Sequence, residues 1–481
     1  MINPFKVLTV FSLILILAAC ATAPSSSSEK AKGKGNKAKA SAGGSLPYTP
    51  FSSSYTIPDA QPLLVSNVRV LLGTGDEIQS TDVLVENGKV TAVGNQLVAP
   101  DGAVRVDGAG KWLTPGIIDV HSHMGVYPNP SIASHSDGNE AINPVTAEVW
   151  AEHSVWPQDP NFEKAIAGGV TTAQILPGSA NLFGGRGVVL KIVPSVTMTG
   201  MKFPDAPHSL KMACGENPKR VYGKQGGPAT RMGNMAGYRA AWIKAQKYKE
   251  DWAAYDKKKK KGDTEAVAPE RNLQMETLVG VLNGDIRIHN HCYRADEMAN
   301  MIELSKEFGY EIAAFHHAVE AYKVAPLLAE NNICAAVWAD WWGFKQEAFD
   351  MVRSNAAMVD YAKGCAIIHS DDETGIQHLP QETAKVMGAA SEMGLDITPA
   401  KAITWLTSNP AKSLGLEDQI GTLEVGKNAD MVLWSGNPFS IYSKAEKVWI
   451  DGVLRFEKGN PNLPPTSDFN LGILSPEGDR P

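Results

Sequence analysis

Cysteine is scarce in this chain. Five in 481 residues are too few for the fold to be a disulfide scaffold, and none are spaced C-x-x-C. Charge of one sign is also lacking. Lys and Arg number 45 against 52 Asp and Glu, a net charge of -7. A mildly acidic chain without a concentrated basic face argues against general nucleic-acid binding. There is no G-x-S-x-G nucleophile elbow, no Walker loop and no dinucleotide fingerprint. What remains is ordinary globular composition, 43% hydrophobic and 20% charged, with the 44 Gly and 30 Pro of a loop-rich α/β protein. At roughly 150 residues per domain, the length suits several domains, or one large barrel with a small companion.

The first residues read as an address. Lys6 precedes an apolar run, Val7 to Ala19, that is short for a bilayer span and matches a signal-peptide core. The run ends Leu17-Ala18-Ala19-Cys20, which resembles the lipobox of bacterial lipoproteins. That resemblance implies a signal peptide over 1–20, lipidation of Cys20 and anchoring in the cell envelope. Ala21 after the cysteine favours the outer membrane, facing the periplasm. An ordinary signal peptide cut nearby is the alternative. Residues 21–60, with Ser25 to Ser28 and lysines among Gly and Ala, form a solvated tether.

Beyond the tether, β-rich runs appear at both ends of the chain. Leu63 to Leu71 and the Asn87-Gly88 hairpin signal mark residues 61–112, and Asp430 to Trp434 and Val448 to Leu454 mark 419–460. They predict one small β-sandwich built from both termini, with a tail over 461–481. Between them, over 113–418, eight short apolar strands alternate with helical periods. The strands begin near Ile117, Thr171, Val188, Leu210, Ile286, Ile312, Ile333 and Ala366. This predicts an α/β fold with a (β/α)8 TIM-like barrel. A charged insertion, about 238–282 with lysines at 257–261, reads as an exposed helix and loop.

Barrel chemistry sits at the C-terminal strand ends. Here those ends carry His121 and His123, then His289 and His291, then His316 and His317, then Asp371 and Asp372. Two-residue spacing sends both members of a pair to one side of a strand. Imidazole and carboxylate together suit a divalent metal, Zn2+ first. Cys214, Cys292, Cys334 and Cys365 fall in or beside these strands and read as buried free thiols, with pairing open in an oxidising compartment.

Thr114-Pro115-Gly116-Ile117-Ile118-Asp119-Val120-His121-Ser122-His123 resembles the first-strand signature of the metal-dependent amidohydrolase superfamily, in its imidazolonepropionase-like branch. Ser408 to Gly415 and Gly421 to Asp430 are similar to its late helix and its return into the small sheet. The resemblance implies one or two metals. His121 and His123 would hold the more buried one, and His291 and His317 the second, unless one of that pair contacts substrate instead. Asp371 would be ligand and proton shuttle, with His291 steadying the developing oxyanion. A carboxylated Lys211 is the first choice to bridge the metals, and Glu216 and Lys191 are the alternatives. His289, His316 and Asp340 are candidates for substrate contact. The implied activity is hydrolysis of a C–N bond in a small amide, cyclic amide or dipeptide. A deaminase or Xaa-Pro-type peptidase of the same fold is the alternative, and a non-catalytic tethered binding protein the remaining one. A homo-oligomer stays open.

Overall fold

The computed structural model describes residues 50–463. The leader, Cys20, residues 21–49 of the tether and most of the tail lie outside the described residues; the last tether residues are not a free spacer, since Ser54 N donates to Thr199 O at 2.9 Å and the Tyr55 hydroxyl to Asp451 at 2.7 Å. The chain opens with β1 (Leu63–Leu71), β2 (Glu77–Glu86), β3 (Lys89–Gly94), β4 (Val104–Asp107) and β5 (Trp112–Pro115). Asn87 and Gly88 both take positive φ, 52° and 75°, so β2 and β3 join by the tight turn their sequence favours. Eight strands follow: β6 (Ile117–Ser122), β7 (Val170–Ile175), β8 (Phe183–Lys191), β9 (His208–Ala213), β10 (Ile286–Cys292), β11 (Ile312–His317), β12 (Cys334–Val337) and β13 (Cys365–Ile368). Finally β14 (Met431–Trp434), β15 (Ala445–Ile450) and β16 (Val453–Glu457) return to the first sheet, where β14 pairs antiparallel with β5. That sheet runs β16-β15-β14-β5-β1-β2-β3, with β4 on β1.

The second sheet runs in chain order from β6 to β13 and curls into a TIM-like barrel. Its seam closes without a ladder between its end strands among the described residues. Instead Asp371 N donates to His121 O at 3.0 Å, and the buried Asp119 carboxylate accepts from His121 N, Ser370 N and the Ser370 hydroxyl. Gly116, just before β6, packs so tightly on Thr171 that a Cβ there would collide with its side chain.

Three expectations need correction. First, the barrel is not eight parallel strands: β8 pairs antiparallel with both β7 and β9. Only residues 176–182 join β7 to β8, and a parallel crossover needs a dozen or more. Second, the insertion is not merely exposed. Its helix begins earlier, at Arg231–Lys260, and buries Tyr238, Ala241, Trp242, Ala245 and Tyr248 on one stripe against the barrel. Its lysine-rich end is solvated. Third, the four barrel cysteines are not free thiols. Cys214 pairs with Cys292 and Cys334 with Cys365. Cys334 and Cys365 are register partners on adjacent parallel strands, their Cα atoms 4.4 Å apart. Neighbouring strands place paired residues within disulfide reach, a proximity that separations of 78 and 31 residues conceal.

Peptide mapping of unreduced protein is expected to recover both cross-linked peptides; alkylation of all four cysteines without reductant would contradict the pairing. Replacing Cys334 and Cys365 by Ala should lower unfolding free energy by about 3–4 kcal/mol, from the closed-loop length.

Candidate metal centre

The seam places the first and last barrel strands side by side, and the candidate ligands gather there. One Asp371 carboxylate oxygen lies 3.2 Å from His121 Nε2 and 3.2 Å from His123 Nε2. Its other oxygen is 3.7 Å from His317 Nδ1. Lys211, fully buried on β9, brings Nζ to 3.2 Å from His121 Nε2 and donates to Pro177 O at 3.1 Å. Two overlapping triads could hold a metal: His121, His123 and Asp371, and His121, His317 and His369.

Local backbone conformation makes this convergence possible. His316 and His317 are adjacent, and a regular strand would send them to opposite faces. His317 instead has φ 67°, as Asp371 has φ 54°, in the left-handed region. Such a conformation costs of order 1–3 kcal/mol for a residue with a side chain. Here it turns both histidines into the barrel.

The donors fit a metal chemically. Burial holds His121, His291 and His317 well below the ordinary imidazole range, and the Lys211 cation adds to the effect. Burial also lowers His369 to about 3. All are therefore neutral near pH 7, the form that ligates. His291 Nδ1, His317 Nδ1 and His369 Nδ1 are buried with no hydrogen-bond partner, an unfavourable state that a cation would relieve. Burial tends to raise Asp371, but the hydrogen bond and charge of His123 more than offset it, so its carboxyl lies below the usual value. Burial takes Lys211 down to about 7, partly opposed by Asp371, so much of its amine is uncharged at neutrality.

Several candidates fall elsewhere. His289 and His316 are fully buried, and their ring nitrogens are engaged with each other and with His121. They form a chain: His289 Nδ1 lies 2.8 Å from His316 Nε2, and His316 Nδ1 lies 2.9 Å from His121 Nδ1. Their geometry orients the His121 ring. Glu216 belongs to neither triad; its carboxylate lies 3.8 Å from Lys345. Lys191 is at the wrong end of the barrel because β8 is reversed. Its ammonium pairs with Asp451 at 2.8 Å and Asp430 at 3.5 Å, below the barrel against the small sheet. His291 sits in neither triad but at the mouth, its Nε2 3.4 Å from Asn217 Nδ2. Asp340 lines an open cleft of about 370 Å3 together with Tyr293, Trp338, Trp341 and Asp371. His369 was missed, although two-residue spacing from Asp371 at a strand end was its signal. Asn217, Tyr293 and Trp338 carried no such signal.

A TIM-like barrel with a second sheet domain, and a His/Asp cluster at its strand ends that could hold a metal, defines the class. Comparison with known proteins gives the family. The amidohydrolase family model matches residues 368–459. A crystal structure of an amidohydrolase from Thermotoga maritima MSB8 is 38% identical, with TM-score 0.74, covering 82% of this chain and all of that one. The amidohydrolase tasK of Hapsidospora irregularis is 33% identical over 435 residues, 82% of this chain. The chain spans 43% of that relative's length. An imidazolonepropionase of Mesorhizobium japonicum is 22% identical over 70% of this chain and 81% of its own. The chain belongs to the amidohydrolase family.

Replacing His316 with Phe should keep the fold and weaken metal affinity by about 10–100-fold, as losing a ligand's supporting hydrogen bond does; unchanged affinity in a chelator-competition titration would contradict the orienting role. Lys191→Met should cost about 3–5 kcal/mol in urea unfolding, because it strands two buried carboxylates, and leave metal content intact. Metal loss without destabilisation would return Lys191 to the site. Stability of the metal-free protein should decrease as pH is lowered. Burial depresses His208 and His289 from 6.5 to about 3, so below 6.5 the unfolded chain binds protons that the folded one refuses. Urea midpoints should drop between pH 7.5 and pH 4; a flat profile would contradict this.

Proposed function

We propose that this chain is a metal-dependent hydrolase that breaks a C–N bond in a small amide, cyclic amide or peptide. The observation that carries the reading is Asp371, whose single oxygen is shared at 3.2 Å by His121 and His123 beneath an open cleft. His121, His123, Asp371, His317 and His369 would hold the metal, most plainly Zn2+, given their nitrogen and oxygen donors. The chemistry that a divalent ion would supply there is activation of water near neutral pH and polarisation of a carbonyl. Lys211, uncharged in part and beside His121, is suited to carboxylation as a bridge between two ions.

The chain's own residues supply the rest. Asp371, kept ionised, faces the cleft and can take a proton from water and return it to the leaving nitrogen. His291, neutral at the mouth, is placed to steady charge developing on the carbonyl oxygen. Trp338 stacks on His317 with centroids 4.4 Å apart and donates from Nε1 to Ser370 O at 3.1 Å, so it keeps water from one side of the cage. Glu216, outside both triads and 3.8 Å from Lys345, gives no support to a glutamate bridge or to the deaminase reading that would go with one. Two disulfides are usual in oxidising compartments and support an envelope location reached through the leader and a lipid on Cys20.

Asp371→Asn should lower kcat by about a thousandfold or more on any amide the parent hydrolyses, combining loss of a proton shuttle with loss of a ligand. Retention of a tenth or more of the rate, measured by amine release, would reject Asp371 as the shuttle.

A further inference from the structure

The loop after β12 carries an unusual density of exposed aromatic surface. Trp341, Trp342 and Phe344 are 36%, 55% and 58% exposed. Exposed aromatic patches of this kind mark binding sites. This one is not a free face of the molecule. With Tyr293 and Trp338 it forms the wall of the cleft that has Asp371 at its floor. Trp341 stacks on Trp338 at 5.3 Å, and Trp338 stacks on His317, so the aromatic surface runs from solvent to the ligand cage.

A cation stands on the same rim. Lys345 follows Phe344 directly, its side chain only 16% exposed. Its nearest carboxylate, Glu216, is 3.8 Å away. Glu347, the other acid nearby, is engaged by Arg231 and by the backbone N–H of Glu216. The ammonium rests over the Tyr293 ring at 3.9 Å and donates to Asn217 Oδ1 at 3.1 Å. Asn217 in turn lies 3.4 Å from His291 Nε2. A mostly buried, weakly paired cation is costly unless an anion completes it. The Lys345–Asn217–His291 line sets this ammonium and the Asn217 amide beside Tyr293, which shares the lining of the cleft with Asp371.

Resting on the hydrolase reading above, we propose that the cleft is a two-part subsite for an amide bearing both a carboxylate and an aromatic side chain. Lys345 and Asn217 take the carboxylate, and Trp338, Trp341 and Phe344 take the ring. N-acyl aromatic amino acids and dipeptides with an aromatic residue have this chemistry. Lys345 is a specificity-determining residue and moves no proton in the reaction.

The test compares three probes on the full-length, zinc-loaded chain: N-acetyl-L-phenylalanine, its primary amide, and N-acetyl-L-alanine. Calorimetry reads binding, and acetate release is read separately. The acid should bind about tenfold more tightly than the amide, the scale of one hydrogen bond to a charged group. Lys345→Met should abolish that preference, which a carboxylate bound only to zinc would retain. Trp341→Ala should reduce the preference for phenylalanine over alanine. Equal or undetectable binding of acid and amide, or a preference that survives Lys345→Met, overturns the subsite. Discrimination without acetate release keeps the subsite and rejects hydrolysis of this amide. Acetate release without discrimination keeps the hydrolase and rejects the subsite.

Discussion

The structure depends on one carboxylate that never meets solvent. Asp119 is fully buried at the barrel seam, and burial, with the Asp371 charge adding to it, lifts its carboxyl to about 6 even though three hydrogen bonds favour its charged form. It accepts from His121 N at 3.1 Å, from Ser370 N at 3.3 Å and from the Ser370 hydroxyl. These bonds do the work that a strand ladder does elsewhere in the barrel. Because the seam is closed by side chain and backbone together, His121 and Asp371 face each other across it at 3.2 Å. Closure of the fold and assembly of the cage are therefore one event.

His289, His316, His121 and Lys211 are fully buried, while His123 and Asp371 are partly exposed. The His289 and His316 imidazoles hold His121 by a chain of ring-nitrogen contacts at 2.8 Å and 2.9 Å. Desolvation keeps them neutral, so no like-charge repulsion opposes the stacking. Asp371 shares its cleft with the aromatic loop after β12. The small sheet is tied beneath the barrel by Lys191 between Asp430 and Asp451, with Tyr55 donating to Asp451 at 2.7 Å. The reversed strand β8 delivers Lys191 there, so the same reversal that removes it from catalysis gives it a structural role.

Much of this was legible along the chain because strand periodicity is a local property. His121 and His123 announce a shared face by spacing alone, and Lys211 falls on a short apolar strand next to the one that ends His289-Asn290-His291. What was hidden is non-local or conformational. Nothing near Val188 says which way its strand runs; the brevity of 176–182 was the clue. The positive φ of His317, which brings two adjacent imidazoles inward, leaves no mark in composition. The cysteine pairs depend on strand adjacency across 31 and 78 residues. Glu216 looked suitable because it follows β9 closely, but it begins a helix that carries it toward Lys345. Residue type and strand-end position thus indicated the chemistry, while the partners of each side chain needed the fold.

The central claim is that the buried, neutral imidazoles with Asp371 and Lys211 form a cage for divalent metal. It is tested most directly by metal content per chain. A form beginning after Cys20, supplied with zinc, would be analysed by mass spectrometry beside Lys211→Ala. About two metals per chain in the parent, falling to one or fewer in the variant, is the result expected for a lysine-bridged pair. A folded protein that retains no metal in either form would contradict the account.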